Sequence, residues 1–88
     1  MTQLENYDDF TLYEVFYETG TELGGVYSAL EDKYENNPVK FHEIQQQHIQ
    51  LNKDREHVLK SDRESQIRLI KEWDTRRAAL EAELNGVQ

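Results

Sequence analysis

The sequence predicts an all-α protein, a three- or four-helix bundle with a long C-terminal helical segment. Apolar residues recur every three or four positions along most of the chain, and no stretch alternates in the manner of a strand. The only proline follows two asparagines, at the point where the charge of the chain also changes. With 88 residues the chain is expected to form a single helical domain, in which residues 1–37 and 38–86 are the two parts.

The first part contains a stripe of apolar and small residues at helical spacing. Asp8 or Asp9 is suited to cap the start of this helix. Glycine costs about 1 kcal/mol relative to alanine inside a helix, so the pattern fits either one bent helix over residues 9–35 or two helices. The glycines favour a break near residues 19–21, with Thr21 as the second cap. The stripe consists of Tyr13, Phe16, Gly20, Leu23, Tyr27, Leu30 and Tyr34.

The second part begins at Pro38, where Asn37 is suited to cap a new helix and the proline to occupy its first position. Residues 61–64 have the form of a capping box, Ser-Asp-Arg-Glu. Residues 38–86 therefore form either one long helix or a helix pair, and Asn85 with Gly86 provides the stop signal. The apolar positions on its inner face are Phe41, Ile44, Leu51, Val58, Ile70, Trp73, Leu80 and Leu84.

The charge of the chain, −8 in total, lies entirely in the first part. Residues 1–37 carry nine acids, one base and all five tyrosines, whereas residues 38–88 carry nine acids and nine bases. An acidic surface repels phosphate backbones, so we expect no direct binding of nucleic acid. Such a surface attracts basic surfaces of other proteins, and a partner protein with a basic surface is the predicted ligand.

Several classes of function lack the residues that they need. There is no cysteine, and His42, His48 and His57 are six and nine positions apart, which is not the spacing of a helical zinc site. The glycine-rich residues 20–25 lack the ending of a phosphate loop, and no nucleophile stands in a clear arrangement with a base. We therefore predict no catalytic, cofactor-binding or metal-binding residues and no enzyme activity.

Membrane insertion and secretion are not predicted either. No apolar run approaches the length of about 20 residues that a membrane-spanning helix requires. The opening residues do not have the basic and apolar regions of a signal peptide. The expected location is the cytoplasm, with no membrane partner.

Residues 9–18 are the candidate partner-binding segment. Phe10, Leu12, Val15 and Tyr17 point away from the apolar stripe, so this short helix is apolar nearly all round. A helix that is apolar on every side is usually buried on every side, and a chain this small cannot easily cover both faces itself. A groove on a partner protein would complete the burial. The predicted partner-binding residues are Phe10, Tyr13, Glu14, Phe16, Tyr17 and Glu18.

Residues 10–18, FTLYEVFYE, and residues 72–77, EWDTRR, together with the chain length, resemble small helical antitoxins of the epsilon type, which neutralise zeta kinases. The resemblance implies a three-helix bundle whose N-terminal helix obstructs the nucleotide site of a toxin kinase. It makes residues 9–18 the blocking segment. It also implies that Glu14 and Glu18 face the basic groups of the kinase that otherwise hold phosphates.

The function expected from the sequence is that of a non-catalytic, antitoxin-like inhibitor. Its acidic aromatic N-terminal helix would occlude a basic nucleotide- or nucleic-acid-binding site on a partner protein. Two alternatives stay open. Residues 39–84 could form a coiled-coil assembly or adaptor subunit, which would make the protein a homo-oligomer. The acidic face could instead mimic nucleic acid, as in a phage-encoded inhibitor.

Overall fold

The computed structural model describes residues 4–86, which contain three α-helices and no strand. Helix α1 covers Asp9–Lys33, α2 covers Pro38–His57 and α3 covers Arg63–Leu84, and a 3-10 turn at Leu4–Asn6 precedes them. The predicted all-α helical bundle is confirmed. Of the two possibilities for the C-terminal segment, the structure has the helix pair, because the chain leaves helical geometry between α2 and α3.

The break predicted near residues 19–21 is wrong, since α1 is one continuous helix of 25 residues. Gly20 and Gly24 lie where α2 packs against α1. A Cβ atom at Gly20 would meet Arg55 Cδ at 2.8 Å, and one at Gly24 would meet Leu51 Cδ2 at 3.7 Å. The two glycines thus give neighbouring side chains room, and the packing against α2 offsets their unfavourable helix propensity.

Local capping residues fix the ends of the helices. Asp8 accepts a hydrogen bond from the Thr11 N–H at 2.8 Å and caps α1, as predicted. Asn37 caps α2 in the same way, with Pro38 at the first helical position. The cap of α3 is Asp62 rather than the predicted Ser61: its carboxylate accepts a hydrogen bond from the Ser65 N–H at 3.2 Å, and its negative charge is favourable at this end of the helix.

Helix α2 runs antiparallel to α1. At the middle of α1, Arg55 Nη2 donates a hydrogen bond to Thr21 Oγ1 at 2.8 Å. Near the end of α1, His48 Nδ1 lies 3.1 Å from Glu31 Oε2. Residues with higher numbers on α1 therefore contact residues with lower numbers on α2, as expected for an antiparallel pair.

Helix α3, by contrast, runs parallel to α1. Arg63 Nη1 at its start lies 2.8 Å from Asp9 Oδ1 at the start of α1. At the other end, Lys33 Nζ donates to the Glu83 carbonyl at 2.7 Å. Lys33 thus places a positive charge against the negative end of the α3 dipole, which is a favourable arrangement.

Helix α1 lies between α2 and α3 and packs extensively against each of them. The Cα atoms span 44 × 26 × 14 Å, so the bundle is flattened. Phe16 stacks on Trp73 with 5.1 Å between the ring centroids. Because one face of α1 fills the core, its opposite face is left at the surface. The buried apolar residues are Leu12, Phe16, Leu23, Val26, Tyr27, Leu30, Ile44, Leu51, Leu69, Ile70 and Trp73.

Candidate protein-interaction groove

A groove of about 780 Å³ runs along the exposed face of α1. Its α1 residues are adjacent pairs that recur every four positions, at 9 and 10, 13 and 14, and 17 and 18, followed by residue 21, and this spacing places them on one side of a helix. Lys60, from the connection between α2 and α3, closes one wall. We call this surface the α1 groove, and its lining residues are Asp9, Phe10, Tyr13, Glu14, Tyr17, Glu18, Thr21 and Lys60.

Aromatic rings form the apolar part of the α1 groove. The side chain of Phe10 is 72% exposed and that of Tyr17 is 51% exposed. Tyr13 is half-buried between them and lies 6.3 Å from the ring of Tyr17. Large apolar groups are seldom left this open together, and aromatic residues at such a surface are typical of binding hot spots.

Two cations of the chain itself lie over the tyrosine rings. Arg55 Cζ is 4.2 Å from the ring centroid of Tyr17, and Lys60 Nζ is 5.7 Å from that of Tyr13. Arg55 Nη2 also donates to the Tyr17 carbonyl at 3.3 Å. These contacts show that the rings on this face accept cations on their π surfaces.

The position of Lys60 is set by a buried glutamine on α3. Gln66 is fully buried, and its Nε2 donates to the Leu59 carbonyl at 2.8 Å and to the Lys60 carbonyl at 3.1 Å. The Leu59 carbonyl also accepts a turn hydrogen bond from the Asp62 N–H at 3.0 Å. The Gln66 amide adds a second bond to that carbonyl, donates to the Lys60 carbonyl and so holds the backbone of Lys60 beside α1.

Carboxylates line the edge of the α1 groove. Asp9 is paired with Arg63, whereas Glu14 and Glu18 are exposed and form no ion pair with any residue between 4 and 86. Close by, the hydrogen bond from the Thr11 N–H lowers the pKa of the Asp8 carboxyl and keeps it ionised. Glu14 and Glu18 are therefore the negative charges on this face that no ion pair within residues 4–86 neutralises.

Five of the six predicted partner-binding residues line this groove. Phe16 does not, because it is fully buried and stacks on Trp73. The prediction that the chain cannot cover the outlying apolar residues of α1 holds only in part. Leu12 is fully buried and Val15 is partly buried against the core, while Phe10 remains exposed.

Three lining residues are not among the six predicted ones: Asp9, which lies within the predicted segment 9–18, and Thr21 and Lys60, which lie outside it. Asp9 and Thr21 share the helical spacing of the other α1 residues, so an extended helical projection would have found them. Lys60 has no such signal, because the packing of α3 brings it to the groove. Arg55, which covers Tyr17 from α2, was likewise unpredictable from local sequence.

Within residues 4–86, no group of three His, Asp or Glu side chains is placed to hold a metal ion. Nor is any helix among these residues both long and apolar enough to cross a membrane. The α1 groove is lined by three aromatic rings and three carboxylates, and both kinds of group can contact cations.

Comparisons with protein-family models, with curated proteins and with solved structures found no match to the chain. The resemblance to epsilon antitoxins therefore stays a prediction.

Proposed function

We propose that this protein is a non-catalytic inhibitor that binds another protein through the α1 groove and covers a basic nucleotide- or nucleic-acid-binding site on it. The observation that supports the proposal is the combination of exposed aromatic rings and unpaired carboxylates on one face of α1. The partner is a protein with a basic surface, for which a toxin kinase is the example given by the antitoxin resemblance.

The aromatic rings would supply most of the binding energy. Burying an exposed phenylalanine side chain fully is worth about 1.5–3 kcal/mol. Phe10 and Tyr17 lie on a helix that is already folded, so no backbone entropy is lost when a partner covers them, and each aromatic side chain has only two χ angles to order. A steric block needs nothing more than this, because a helix lying across a nucleotide site excludes the nucleotide.

The carboxylates would select the partner. Glu14 and Glu18 are exposed, and they match cationic groups that otherwise hold phosphates. Such complementary charges mainly raise the association rate and exclude wrong partners. An inhibitor that mimics nucleic acid would use the same acidic face. The identity of the captured partner therefore distinguishes an antitoxin from such a mimic.

The alternative of a continuous coiled coil over residues 39–84 has less support. Residues 58–62 interrupt the helix, and α2 and α3 pack on opposite flanks of α1. The segment is therefore two helices and not one long helix that could pair with a second copy. The buried apolar residues of α2 and α3 already pack in the core with α1.

The experiment that tests the proposal is a pull-down from the native host with two matched charge-reversal variants. The test variant is Glu14→Lys with Glu18→Lys. The control is Glu35→Lys with Glu43→Lys, which changes the net charge equally at exposed positions away from the groove. Circular dichroism confirms that each variant is folded. The captured protein is identified by mass spectrometry, and its nucleotide or nucleic-acid binding is measured with and without the inhibitor.

We expect the wild type and the control to capture the same protein and to block its ligand binding, and we expect the test variant to do neither. The proposal is wrong if the test variant binds as well as the wild type. It is also wrong if the captured protein retains its nucleotide or nucleic-acid binding in the complex.

A further inference from the structure

Two similar pairs of residues occur along the exposed face of α1. Tyr17 and Thr21 are an aromatic residue and an oxygen acceptor four positions apart, and Phe10 and Glu14 repeat this pattern seven positions earlier. Residues seven apart on an α-helix lie on nearly the same side, about 10 Å from each other along the axis. The two pairs are therefore neighbouring sites of the same form.

The Tyr17 pair already binds an arginine side chain. The guanidinium of Arg55 lies 4.2 Å from the Tyr17 ring centroid, and its Nη2 donates to Thr21 Oγ1 at 2.8 Å. The nearest ammonium on this face, that of Lys60, is 5.7 Å from the ring of Tyr13. A planar guanidinium can stack on a ring and donate sideways at the same time, whereas a compact ammonium cannot.

The Phe10 pair offers the same arrangement with a stronger acceptor. The ring of Phe10 is 72% exposed, and Glu14 presents a carboxylate where Thr21 presents a hydroxyl. A carboxylate accepts two parallel hydrogen bonds from a guanidinium, and such charge-assisted bonds are about twice as strong as neutral ones. Both side chains are thus open to solvent and suited to an incoming arginine.

We propose that Phe10 and Glu14 form a binding site for an arginine side chain, carried by a basic segment of a partner protein. The proposal rests on the proposed function and specifies the chemistry of the partner. Charge complementarity supports this occupant, since residues 1–37 carry nine acids and one base. A second copy of the chain would bring an equally acidic face against Glu14 and Glu18.

The test compares two synthetic peptides of equal length and charge, one with three arginines and one with three lysines in an alanine–glutamine background. The full-length ¹⁵N-labelled protein is titrated with each peptide at low salt, and NMR shift changes give the affinities. We expect the arginine peptide to bind about threefold more tightly, with the largest shifts around residues 10–14.

Variants assign the effect to the two side chains. Phe10→Ala and Glu14→Gln are each expected to weaken the arginine peptide about twofold to fivefold and to reduce the difference between the peptides. Val39→Ala and Glu35→Gln are the matched controls, because both residues are exposed and lie away from the α1 groove. All four changes are at the surface, and unchanged circular dichroism is expected.

The outcomes separate the two proposals. If both peptides bind equally at the α1 groove and Phe10→Ala has no effect, the arginine site is refuted, while a general basic partner remains in agreement with the data. If neither peptide shifts the groove residues, the arginine site is refuted and the proposed function loses its electrostatic basis. Concentration-dependent shifts at Phe10 and Tyr17 without peptide would identify a second copy as the occupant and would also refute the proposal.

Discussion

Replacing Gly25 by alanine should stabilise the protein by about 1 kcal/mol. This is the usual difference in helix propensity between the two residues. Gly25 lies in the interior of α1, and a Cβ atom built at this position has no heavy atom within 4 Å. The substitution therefore gains the full propensity term without a steric cost.

Gly20→Ala in the same helix is the matched comparison. A Cβ atom there would meet Arg55 Cδ and Nε at 2.8 Å, so the arginine side chain must shift from its position over the Tyr17 ring. The gain of about 1 kcal/mol is then offset by the lost cation–π contact, worth about 0.5–1 kcal/mol, and by weakened hydrogen bonds of about 0.5–1.5 kcal/mol each. We expect the variant to be no more stable than the wild type.

Thermal and urea unfolding of both variants would test this reasoning, followed by circular dichroism and by the fluorescence of Trp73, the only tryptophan, which is buried against Phe16. A gain of 1 kcal/mol corresponds to a rise in Tm of about 4–8 °C for a domain of this size. The reasoning is refuted if Gly25→Ala leaves Tm unchanged or lowers it. It is equally refuted if Gly20→Ala stabilises the protein as much as Gly25→Ala.

Three further predictions concern contacts between elements. Gln66→Ala should destabilise the protein by about 1–3 kcal/mol in urea unfolding, because the Lys60 carbonyl loses this donor, the Leu59 carbonyl keeps only the Asp62 N–H, and a cavity is left; a loss below 1 kcal/mol would contradict this. The Tyr34 hydroxyl donates to Glu83 and lowers the pKa of that carboxyl, so the contribution of Glu83 to stability is present at neutral pH and is lost as the pH falls through its lowered pKa. Tyr34→Phe should therefore raise the Glu83 pKa in an NMR titration and should destabilise the protein more at neutral than at acid pH; an unchanged Glu83 titration would argue against the hydrogen bond. Arg63→Met should speed amide exchange at Tyr7, because Arg63 Nη2 donates to the Tyr7 carbonyl at 2.7 Å and holds the turn before α1; unchanged exchange would show that other contacts hold it.

The helix ends could be predicted from the sequence because their causes are local. Asp8 and Asn37 each accept a hydrogen bond from an N–H three residues ahead, and Pro38 has a fixed backbone angle that suits a first turn. The continuity of α1 could not be predicted in this way. It depends on which side chains of α2 lie over Gly20 and Gly24, and the sequence of α1 does not indicate which these are.

The candidate site, too, could be predicted from the sequence only where its causes are local. The spacing of Phe10 and Tyr17 predicts a common face, and both side chains are exposed. The sequence could not show that Leu12 turns inward, because a helix that is apolar on several sides does not reveal which sides its neighbours cover. Nor could it place Arg55 and Lys60, since tertiary packing brings these cations to the rings of α1.

The parallel pairing of α1 with α3 has a consequence for the order of folding. The ring contact between Phe16 and Trp73 joins residues separated by the whole of α2, and closing so long a loop costs entropy before any contact repays it. The hairpin of α1 and α2, with only residues 34–37 between its helices, closes a much shorter loop. We therefore expect α1 and α2 to meet first and the indole of Trp73 to become shielded from water in the last step. A chain that ends before α3 would lack Trp73 and the other buried residues of α3, and the apolar side chains of α1 that pack against them would be open to aggregation.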